Sequence, residues 1–480
     1  MNVILIISDT LRYDYLGCYG NKWISTPNID AFAREATVFE RAYAASFPTV
    51  PHRHDLYTGQ YTFTYADWAP LPPNEVILPQ MLRQAGYVTQ LIADTPHTLA
   101  HGFNYDRGFD GWLWIRGQEG DAYMTSPKKV KIPCNPTKLR GGESVITRYL
   151  RNVSLRRFES DYFVAQTMTA AAKWLELNYD QHEKFFLYID TFDPHEPWDP
   201  PKYYVDMYDP GYEGEEVTYP DYRPCDYLTP EELNHCRALY AGEVTMVDRW
   251  IGMLLQKAKD LGLYEDTALI LTSDHGFYLG DHGYMGKLIM TPKALGYVPL
   301  YEEIVRVPLV IRVPGGRTGE RCQALVQPPD LTPTILELAK AKSSQEIQGR
   351  SLLPFVQGGD VVWRDFAVTS PSIISGGWLS RPASGQRITV TTDKWVLIYA
   401  GQVEDMLRDN PGRRMNFENL EKIAGKVGNE LYDLSKDPMQ RNNIYDERKD
   451  VAQEIHSKLV KFLEQIGTKE EYLKYWRRLE

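Results

Sequence analysis

The stretch that decides the fold is residues 268–287, ALILTSDHGFYLGDHGYMGK. Its apolar beginning predicts a strand buried on both faces, as in the parallel sheets of layered α/β proteins. Asp274 and His275 follow at the end of that strand, and Gly276 permits a sharp turn after them. A carboxylate beside an imidazole is a donor pair that divalent transition metals accept. We therefore interpret this stretch as one half of a candidate metal site.

Three earlier strands are predicted to end in polar residues in the same way. Each is a short apolar run followed at once by carboxylate, hydroxyl or imidazole side chains. In chain order they are residues 2–7 followed by Asp9, residues 87–93 followed by 94–97, and residues 185–189 followed by 190–195. Ligands of open α/β sheets bind beyond the carboxyl ends of the strands. Four such ends on successive strands therefore indicate one shared site.

Helical patterns alternate with these strands over the first 360 residues, most clearly at 231–261. This alternation predicts an α/β fold with a large, mostly parallel sheet sandwiched by helices. From about residue 365 the pattern changes, and alternating runs at 387–391 and 395–399 predict antiparallel strands. We expect an α/β domain over residues 1–364 and a smaller C-terminal α+β subdomain, with an antiparallel sheet, over residues 365–480.

Bulk composition narrows the class of partner. The chain has 480 residues, of which 43% are hydrophobic, and a formal net charge of −11. The length allows a large core, and the acidic balance argues against a nucleic acid polymer as partner, because phosphate backbones select basic surfaces. No run approaches the roughly 20 apolar residues of a membrane span, so we expect no membrane partner.

Localisation and assembly follow from weaker signals. The N-terminus MNVILIISDT lacks a basic flank and has too short an apolar stretch for a secretory leader. Five scattered cysteines without CxxC spacing argue against disulfides and thiolate zinc. We therefore expect a cytoplasmic protein, with a precursor that has lost its leader as the alternative. The basic-leaning stretch 113–158 is interpreted as a solvated insertion, with a lid or a subunit contact, hence a homo-oligomer, as alternatives.

Residues 46–59, SFPTVPHRHDLYTG, form a candidate anion site. The pattern predicts a short helix from about Val50, with Pro51 in its first turn. Thr49 then stands at the helix N-terminus, where unpaired N–H groups favour a negative charge.

Four segments resemble the sulfatase branch of the alkaline phosphatase superfamily, and they occur in the family's order over nearly the whole chain. The first two are NVILIISDTLRYDYLGCYG with TPNIDAFAREA, and TVPHRHDLYTG. The other two are TSDHGFYLGDHGYMGK with LYEEIVRVPLVIRVPG, and NELYDLSKDPMQRNNI near the C-terminus. The resemblance implies the alkaline phosphatase-like form of the α/β fold and a metal-dependent ester hydrolase.

The resemblance also assigns a nucleophile, Thr49, with Arg53 four residues later to bind an oxygen of the ester. Ser46 is the alternative, but it lacks an Arg at the matching distance. Sulfatases of this type convert a Cys or Ser at this position to formylglycine, and a threonine cannot form that aldehyde because its β-carbon bears a methyl group. Threonine nucleophiles in the superfamily serve phosphodiesterases and phosphoglycerol or phosphoethanolamine transferases. We therefore expect phosphoryl chemistry without formylglycine.

The metal ligands implied by the resemblance are Asp9, Thr49, Asp274 and His275, a set similar to that of phosphonate monoester hydrolases. An imidazole donor favours manganese or zinc, with iron or calcium as alternatives. The Asp and His spacings around His195 do not match the two-metal members of the superfamily. We therefore expect one divalent metal ion.

The remaining implied residues handle the anion. His195, His282 and Lys287 match positions that contact the substrate oxyanion or protonate the leaving group. Thr95 and His97 match a substrate-binding Lys-x-His of sulfatases, and the loss of that lysine suits a less charged substrate. We expect a small-molecule anionic ester, most readily a phosphodiester or phosphonate monoester, cleaved through a phospho-threonine. A sulfatase acting without formylglycine, a phosphotransferase and an inactive binding protein are the rivals.

Overall fold

The computed structural model describes residues 1–359, 361–374, 377–378 and 381–479. Thirteen of its strands form two sheets. These strands are β1 (Asn2–Ser8), β2 (Thr37–Phe39), β3 (Ser46–Phe47), β4 (Val88–Ala93), β5 (Gly111–Trp114), β6 (Phe185–Thr191), β7 (Thr267–Thr272), β8 (Leu309–Arg312), β9 (Glu320–Cys322), β10 (Phe366–Pro371), β11 (Ile388–Thr392), β12 (Trp395–Tyr399) and β13 (Glu430–Asp433). Shorter strands pair as Ala42–Tyr43 with Arg306–Val307, Tyr284–Gly286 with Tyr278–Leu279 and Arg223–Pro224, Ile289–Met290 with Leu295–Gly296, and Gly377–Trp378 with Arg381–Pro382.

The helices range from single turns to one of 31 residues. They are α1 (Pro27–Arg34), α2 (Thr49–Thr58), α3 (Leu78–Gln84), α4 (Pro96–Leu99), α5 (Glu143–Asn152), α6 (Phe163–Asn178), α7 (Lys202–Val205), α8 (Pro230–Asp260), α9 (Glu302–Val305), α10 (Leu331–Leu338), α11 (Leu353–Gln357), α12 (Val403–Asp409), α13 (Arg414–Ala424), α14 (Lys449–Gln465) and α15 (Glu470–Leu473). None of these helices combines the length and the apolar character needed to cross a bilayer.

The larger sheet has eight strands in the order β9-β2-β8-β7-β1-β6-β4-β5. β1 pairs in parallel with both β6 and β7, and β4 pairs in parallel with β6. The four strands whose polar ends were singled out from the sequence are therefore neighbours, and their carboxyl ends meet at one edge. The predicted α/β fold with a mostly parallel sheet is confirmed.

The sheet is covered on both faces, as the continuous apolar run of β1 predicts. Ile4 and Ile6 pack into one core cluster, together with α6 and α8. Val3, Leu5 and Ile7 point the other way, into a second cluster that contains α3 and α10. Alternate residues of one strand thus supply two cores, which places β1 and Asp9 at the centre of the molecule.

Strand β8 is the exception, because it runs antiparallel to both of its neighbours, β7 and β2. A parallel return needs a crossover that carries the chain back to the other end of the sheet. After β7 the chain instead forms the loop that contains Asp274 and Lys287, and it enters β8 from the same end. Between the two strands the chain forms one 3-10 turn, Asp281–Gly283, and the α-helix α9, which has four residues.

The smaller sheet has the order β13-β12-β11-β10-β3, and it reaches back to the N-terminal region. β10 to β13 pair antiparallel, as the alternating runs predict. The edge strand β3 pairs in parallel with β10, with Ser46 opposite Ser370 and Phe47 opposite Pro371. Because α2 begins two residues later, this pairing fixes the position of Thr49. The predicted domain boundary after residue 364 stays a prediction.

The structure leaves all five cysteines free, in agreement with their scattered spacing. The predicted helix over 231–261 is observed as α8, and the predicted strand over 395–399 is observed as β12.

Candidate functional site

The carboxyl ends of β7, β1, β6 and β4 bring four buried carboxylates to one edge of the sheet: Asp274, Asp9, Asp190 and Asp94. Asp94 supports the loop after β6, where it accepts hydrogen bonds from the Thr167 hydroxyl and the Phe192 amide. The other three surround a single arginine, described below.

Asp9, Asp274 and His275 form a candidate metal site. One ligand atom of each lies within 4.8 Å of the others, and all three residues are buried. The Nδ1 of His275 lies 2.9 Å from the carbonyl oxygen of Gly276. A hydrogen bond there holds the Nδ1 proton and leaves Nε2 as the free donor atom, the arrangement that metal-ligating histidines use. Burial lowers the pKa of His275 to about 3, so the ring is neutral.

The donor set fits a divalent ion. Asp9 Oδ1 accepts the Thr10 hydroxyl at 2.7 Å, whereas its buried Oδ2 has no hydrogen-bond partner among the described residues. Burial and the neighbouring Asp274 raise the pKa of Asp9 well above its ordinary value, which marks a carboxylate that lacks sufficient positive charge nearby. Arg53 Nη2 lies 3.1 Å from Oδ2 but donates its hydrogen bond to Asp190, and a buried carboxylate oxygen that accepts no hydrogen bond is costly. A cation bound by Asp9, Asp274 and His275 would satisfy it.

Thr49 stands at the first residue of α2, as predicted, and is fully buried. Its Oγ1 lies 3.2 Å from the Nε2 of His275 and 3.4 Å from the Nζ of Lys287. The hydroxyl of Ser46, by contrast, donates to Asp55 at 2.6 Å and accepts from the amide of Phe63. Of the two candidate hydroxyls, the structure therefore brings Thr49 to the predicted metal ligands.

Arg53 lies one helical turn after Thr49 and is anchored by three carboxylates. Its Nε and Nη2 donate to Asp190 at 3.1 and 2.7 Å. Nη1 donates to Asp274, and Nη2 also lies 3.1 Å from Asp9 Oδ2. The bidentate partner of the guanidinium among the described residues is Asp190, and the predicted contact of Arg53 with an ester oxygen stays a prediction. Arg53 therefore holds the three carboxylates in place and brings positive charge to the site.

Lys287 connects the predicted anion-binding residues. Its Nζ lies 3.1 Å from the Nε2 of His195 and 3.1 Å from the Nε2 of His275. Only 1% of Lys287 and 2% of His195 is exposed, so these contacts form out of bulk water. Burial lowers the pKa of Lys287, and burial together with the Lys287 charge lowers the pKa of His195 well below its ordinary value. The two side-chain nitrogens therefore share a buried hydrogen bond.

Thr95 and His97, predicted to contact substrate, take different places. The Thr95 hydroxyl donates to Asp190 Oδ1 at 2.9 Å, so it lies behind Arg53 and helps to fix it. His97 lines the open cleft above the site, with its Nε2 3.0 Å from Glu119.

His282 contacts a different set of residues. Its Nε2 lies 3.3 Å from Glu303, and its ring stacks on Tyr301 at a centroid distance of 3.7 Å. None of the contacts described for it reaches Thr49, Lys287 or His195. Its predicted role as a proton donor stays a prediction.

A cleft of about 640 Å³ opens above Lys287 and His195. Part of its wall comes from the basic insertion, whose loop and helix α5 supply Leu139, Arg140 and Val145. The interpretation of this stretch as a solvated insertion is therefore incomplete, because one part of it covers the site. Pro136 also belongs to the insertion, and the other walls are mainly apolar or aromatic and come from Trp68, Tyr219, Met290 and Pro292.

A charged network that the sequence did not reveal closes the cleft. Arg140 donates to Glu119 and lies 2.9 Å from Glu196 Oε1. Its guanidinium is sandwiched between the rings of Tyr219 and Tyr222, 4.2 Å from each centroid. Glu196 directly follows the predicted His195, but Arg140 lies in a stretch without periodicity, so nothing in the sequence joins the two. Asp190 stood at a predicted strand end, although its pairing with Arg53 was not predicted.

Comparison with known proteins agrees with this geometry. The family model described as Sulfatase matches residues 1–341. The chain is 27% identical over 420 residues to an arylsulfatase of Clostridium perfringens, covering 76% of this chain and 80% of the relative. It is 26% identical over 432 residues to the multifunctional alkaline phosphatase superfamily protein PehA of Trinickia caryophylli, covering 76% and 78%. The crystal structure of the phosphonate monoester hydrolase of Agrobacterium radiobacter superposes with a TM-score of 0.71 and 22% identity, covering 97% and 96%, and shows the same fold.

Proposed function

The chain belongs to the sulfatase family of the alkaline phosphatase superfamily, and we propose that, within this group of sulfate and phosphate ester hydrolases, it cleaves phosphodiesters or phosphonate monoesters through a covalent phospho-threonine. The observation that carries the proposal is the position of Thr49, whose hydroxyl lies 3.2 Å from a predicted metal ligand. A threonine cannot become formylglycine, whereas a phospho-threonine can be cleaved by water attacking phosphorus.

The residues around Thr49 would have separate roles in metal binding, nucleophilic attack and stabilisation of negative charge. A divalent ion held by Asp9, Asp274 and His275 would supply positive charge that makes the Thr49 hydroxyl more acidic and the phosphorus more electrophilic. Thr49 Oγ1 then forms a bond to phosphorus as the leaving oxygen departs, and the Thr49 proton passes to Lys287 Nζ, 3.4 Å away, which has given up a proton through His195. Helix α2 begins at Thr49 and aims backbone N–H groups at the same point.

The proton for the leaving oxygen comes from the pair formed by Lys287 and His195. Their side-chain nitrogens are 3.1 Å apart and share one hydrogen bond at the floor of the cleft. After the leaving group departs, the same pair is placed to take a proton from the attacking water. Oxygen–phosphorus cleavage then returns Thr49 as the free hydroxyl. His282, with its contacts to Glu303 and Tyr301, is a less direct candidate for this role.

Charge in the site supports a monoanionic substrate. Three buried carboxylates, Asp9, Asp190 and Asp274, face the cations Arg53 and Lys287. One divalent ion would bring the sum to a single positive charge, which matches the one negative charge of a phosphodiester or phosphonate monoester. The apolar walls of the cleft support an uncharged ester substituent.

A panel of para-nitrophenyl esters tests the proposal. We expect the aryl phosphodiester and the phosphonate monoester to have a higher kcat/KM than the sulfate and the phosphate monoester, measured with Mn²⁺ or Zn²⁺ added. The rival is a sulfatase acting without formylglycine, which the arylsulfatase of Clostridium perfringens among the relatives favours. Faster turnover of the sulfate ester would show that the rival is correct. Formation of a phosphoglycerol with added glycerol would instead indicate a phosphotransferase.

A further inference from the structure

Glu196 lies directly behind His195 and is fully buried. The Nδ1 of His195 lies 2.8 Å from the backbone carbonyl oxygen of Glu196 and 3.1 Å from its side-chain Oε2. Oε2 has no hydrogen-bond partner among the described residues. A buried carboxylate oxygen without a hydrogen-bond partner is costly unless it serves a neighbouring group. The imidazole N–H of His195 bonds to the backbone carbonyl oxygen, and Oε2 lies beside the same nitrogen as a negative charge that a protonated ring would satisfy.

The other oxygen of Glu196 is held firmly. Oε1 accepts the Tyr222 hydroxyl and lies 2.9 Å from Nη2 of Arg140. Arg140 is itself fixed between two tyrosine rings and bonded to Glu119. These contacts fix the orientation of the Glu196 carboxylate, so its Oε2 stays directed towards His195.

We propose that Glu196 is a positioning residue that orients the His195 ring and stabilises its protonated form while the leaving oxygen takes up a proton. This inference rests on the proposed function only in assigning proton donation to His195 and Lys287. A hydrogen held on Nδ1 directs Nε2 to Lys287 and the cleft. Lys287 supplies the proton to Nε2, 3.1 Å away, and the ring is protonated while it passes that proton to the leaving oxygen. The ring is then neutral again, Nδ1 keeps its hydrogen and Glu196 remains ionised.

A purely architectural role for Glu196 is the competing explanation, because the same carboxylate helps to anchor Arg140. The two roles differ in their dependence on the leaving group. Departure of nitrophenolate needs little proton donation, whereas departure of an alkoxide depends on it. An architectural defect would slow both reactions by the same factor.

The experiment compares the wild-type holoenzyme with Glu196→Gln on two phosphodiesters that differ only in an ethyl or a para-nitrophenyl leaving group. The quantity measured is kcat/KM, which covers the steps up to departure of the leaving group. General acid catalysis contributes about 10²–10⁴-fold, so we expect Glu196→Gln to lose roughly 100-fold on the ethyl ester and less than about threefold on the aryl ester. Glu159→Gln, a carboxylate bonded to Tyr203 and Trp250 away from the cleft, is the matched control and should leave both values unchanged.

A double-mutant cycle with His195→Asn completes the test. We expect Glu196→Gln to add no further loss on the ethyl ester once His195 is replaced, because the two residues act as a unit. Equal losses on both esters, no loss on either, or additive losses in the double variant would overturn the proposal. If sulfate esters prove to be the better substrates, ethyl and aryl sulfates replace the phosphodiesters. Failure of the phosphoryl preference is then distinguishable from failure of the role of Glu196.

Discussion

At the scale of single residues, the site depends on one hydroxyl whose surroundings are otherwise filled with charge. Thr49 is within 3.4 Å of both His275 and Lys287, and its own helix points amide N–H groups at the same space. This combination favours an ionised or partly ionised oxygen, because the Lys287 side chain and the helix N-terminus both place positive charge beside it. A hydroxyl in such a place is suited to the nucleophilic role that we propose for Thr49.

We predict that Thr49→Ala lowers kcat/KM by at least about 10³-fold, the scale seen when a covalent nucleophile is removed. Thr49→Ser keeps the oxygen and should retain activity within about tenfold of wild type. Rapid quenching of the wild-type enzyme followed by peptide mass spectrometry should find one phosphoryl group on the peptide that contains Thr49.

Ser46→Ala provides the matched control for that prediction. Ser46 is hydrogen-bonded to Asp55, so its removal should cost about 1 kcal/mol of unfolding free energy without preventing phosphorylation of the enzyme. Phosphoryl label that persists in Thr49→Ala and vanishes in Ser46→Ala would assign the nucleophile to Ser46 instead.

The predicted site residues that the structure brings together are those next to a strand end or a helix start, and their roles stay predictions. Asp9, Asp274 and His275 follow predicted strands, and Thr49 begins a predicted helix, so local pattern was enough to bring them together. Arg140 was not predicted, because its contact with Glu196 joins positions 56 residues apart in sequence, in a segment without periodicity. Long-range pairing of this kind depends on how the insertion folds back over the cleft.

At the scale of elements, predictions held for long apolar segments and failed for very short ones. β1 and α8 are long enough to show their periodicity in full. β3 has two residues, too few for any pattern, yet its pairing with β10 places the start of α2. The reversed direction of β8 depends on the path of the preceding loop, which residue pattern does not encode.

Arg140, in the insertion, forms ion pairs with Glu119 and with Glu196, which follows β6 at the edge of the sheet. We therefore expect its removal to lower the stability of the fold. Although burial opposes ionisation, Arg140 and His97 hold the pKa of Glu119 well below its ordinary value. Such a carboxylate contributes stability above the ordinary pKa of about 4.3, and that contribution is lost as the pH falls through the folded value. Arg140→Met leaves Glu119 and Glu196 buried without this cation, so we expect the unfolding free energy to fall by about 3 kcal/mol at pH 7.

Chemical denaturation at several pH values measures this effect. The difference in unfolding free energy between wild type and Arg140→Met should become smaller as the pH is lowered from 7 towards 4. The reason is that Glu119 and Glu196, which lack their cation in the variant, become protonated. Arg83→Met is the control. The side chains of the Arg83–Asp110 ion pair are 48% and 37% exposed, so this substitution should lower the unfolding free energy by less than about 1 kcal/mol. A difference in unfolding free energy between wild type and Arg140→Met that is the same at every pH would contradict the electrostatic explanation.

At the scale of the whole molecule, the metal site joins elements that are far apart in sequence. Asp9 ends β1, Asp274 ends β7, and Thr49 begins α2 after a strand of the smaller sheet. An ion held by these residues would be contacted by the ends of the adjacent strands β1 and β7 and by the segment that the C-terminal sheet holds in place. Its binding should therefore stabilise the folded state of the whole chain.

Metal addition and removal test this coupling through the melting temperature. An ion that binds only the folded state adds about 2.7 kcal/mol of unfolding free energy at 100 times its Kd, a shift of a few degrees in a chain of this length. We expect this rise on addition of Mn²⁺ or Zn²⁺ and its reversal by a chelator. Asp9→Asn should abolish the rise, because it removes the charge that Oδ2 offers.

The same substitution should leave the metal-free protein at least as stable as wild type. Asp9 is a buried carboxylate beside Asp274, and Arg53 keeps its bonds to Asp190 and Asp274 when Asp9 is neutralised. Removing an undercompensated buried charge favours the folded state. Asp94→Asn, at the end of β4 and separated from β1 by β6, is the matched control and should keep the metal-dependent rise. A rise that survives in Asp9→Asn but disappears in Asp94→Asn would place the metal ion elsewhere at this edge of the sheet.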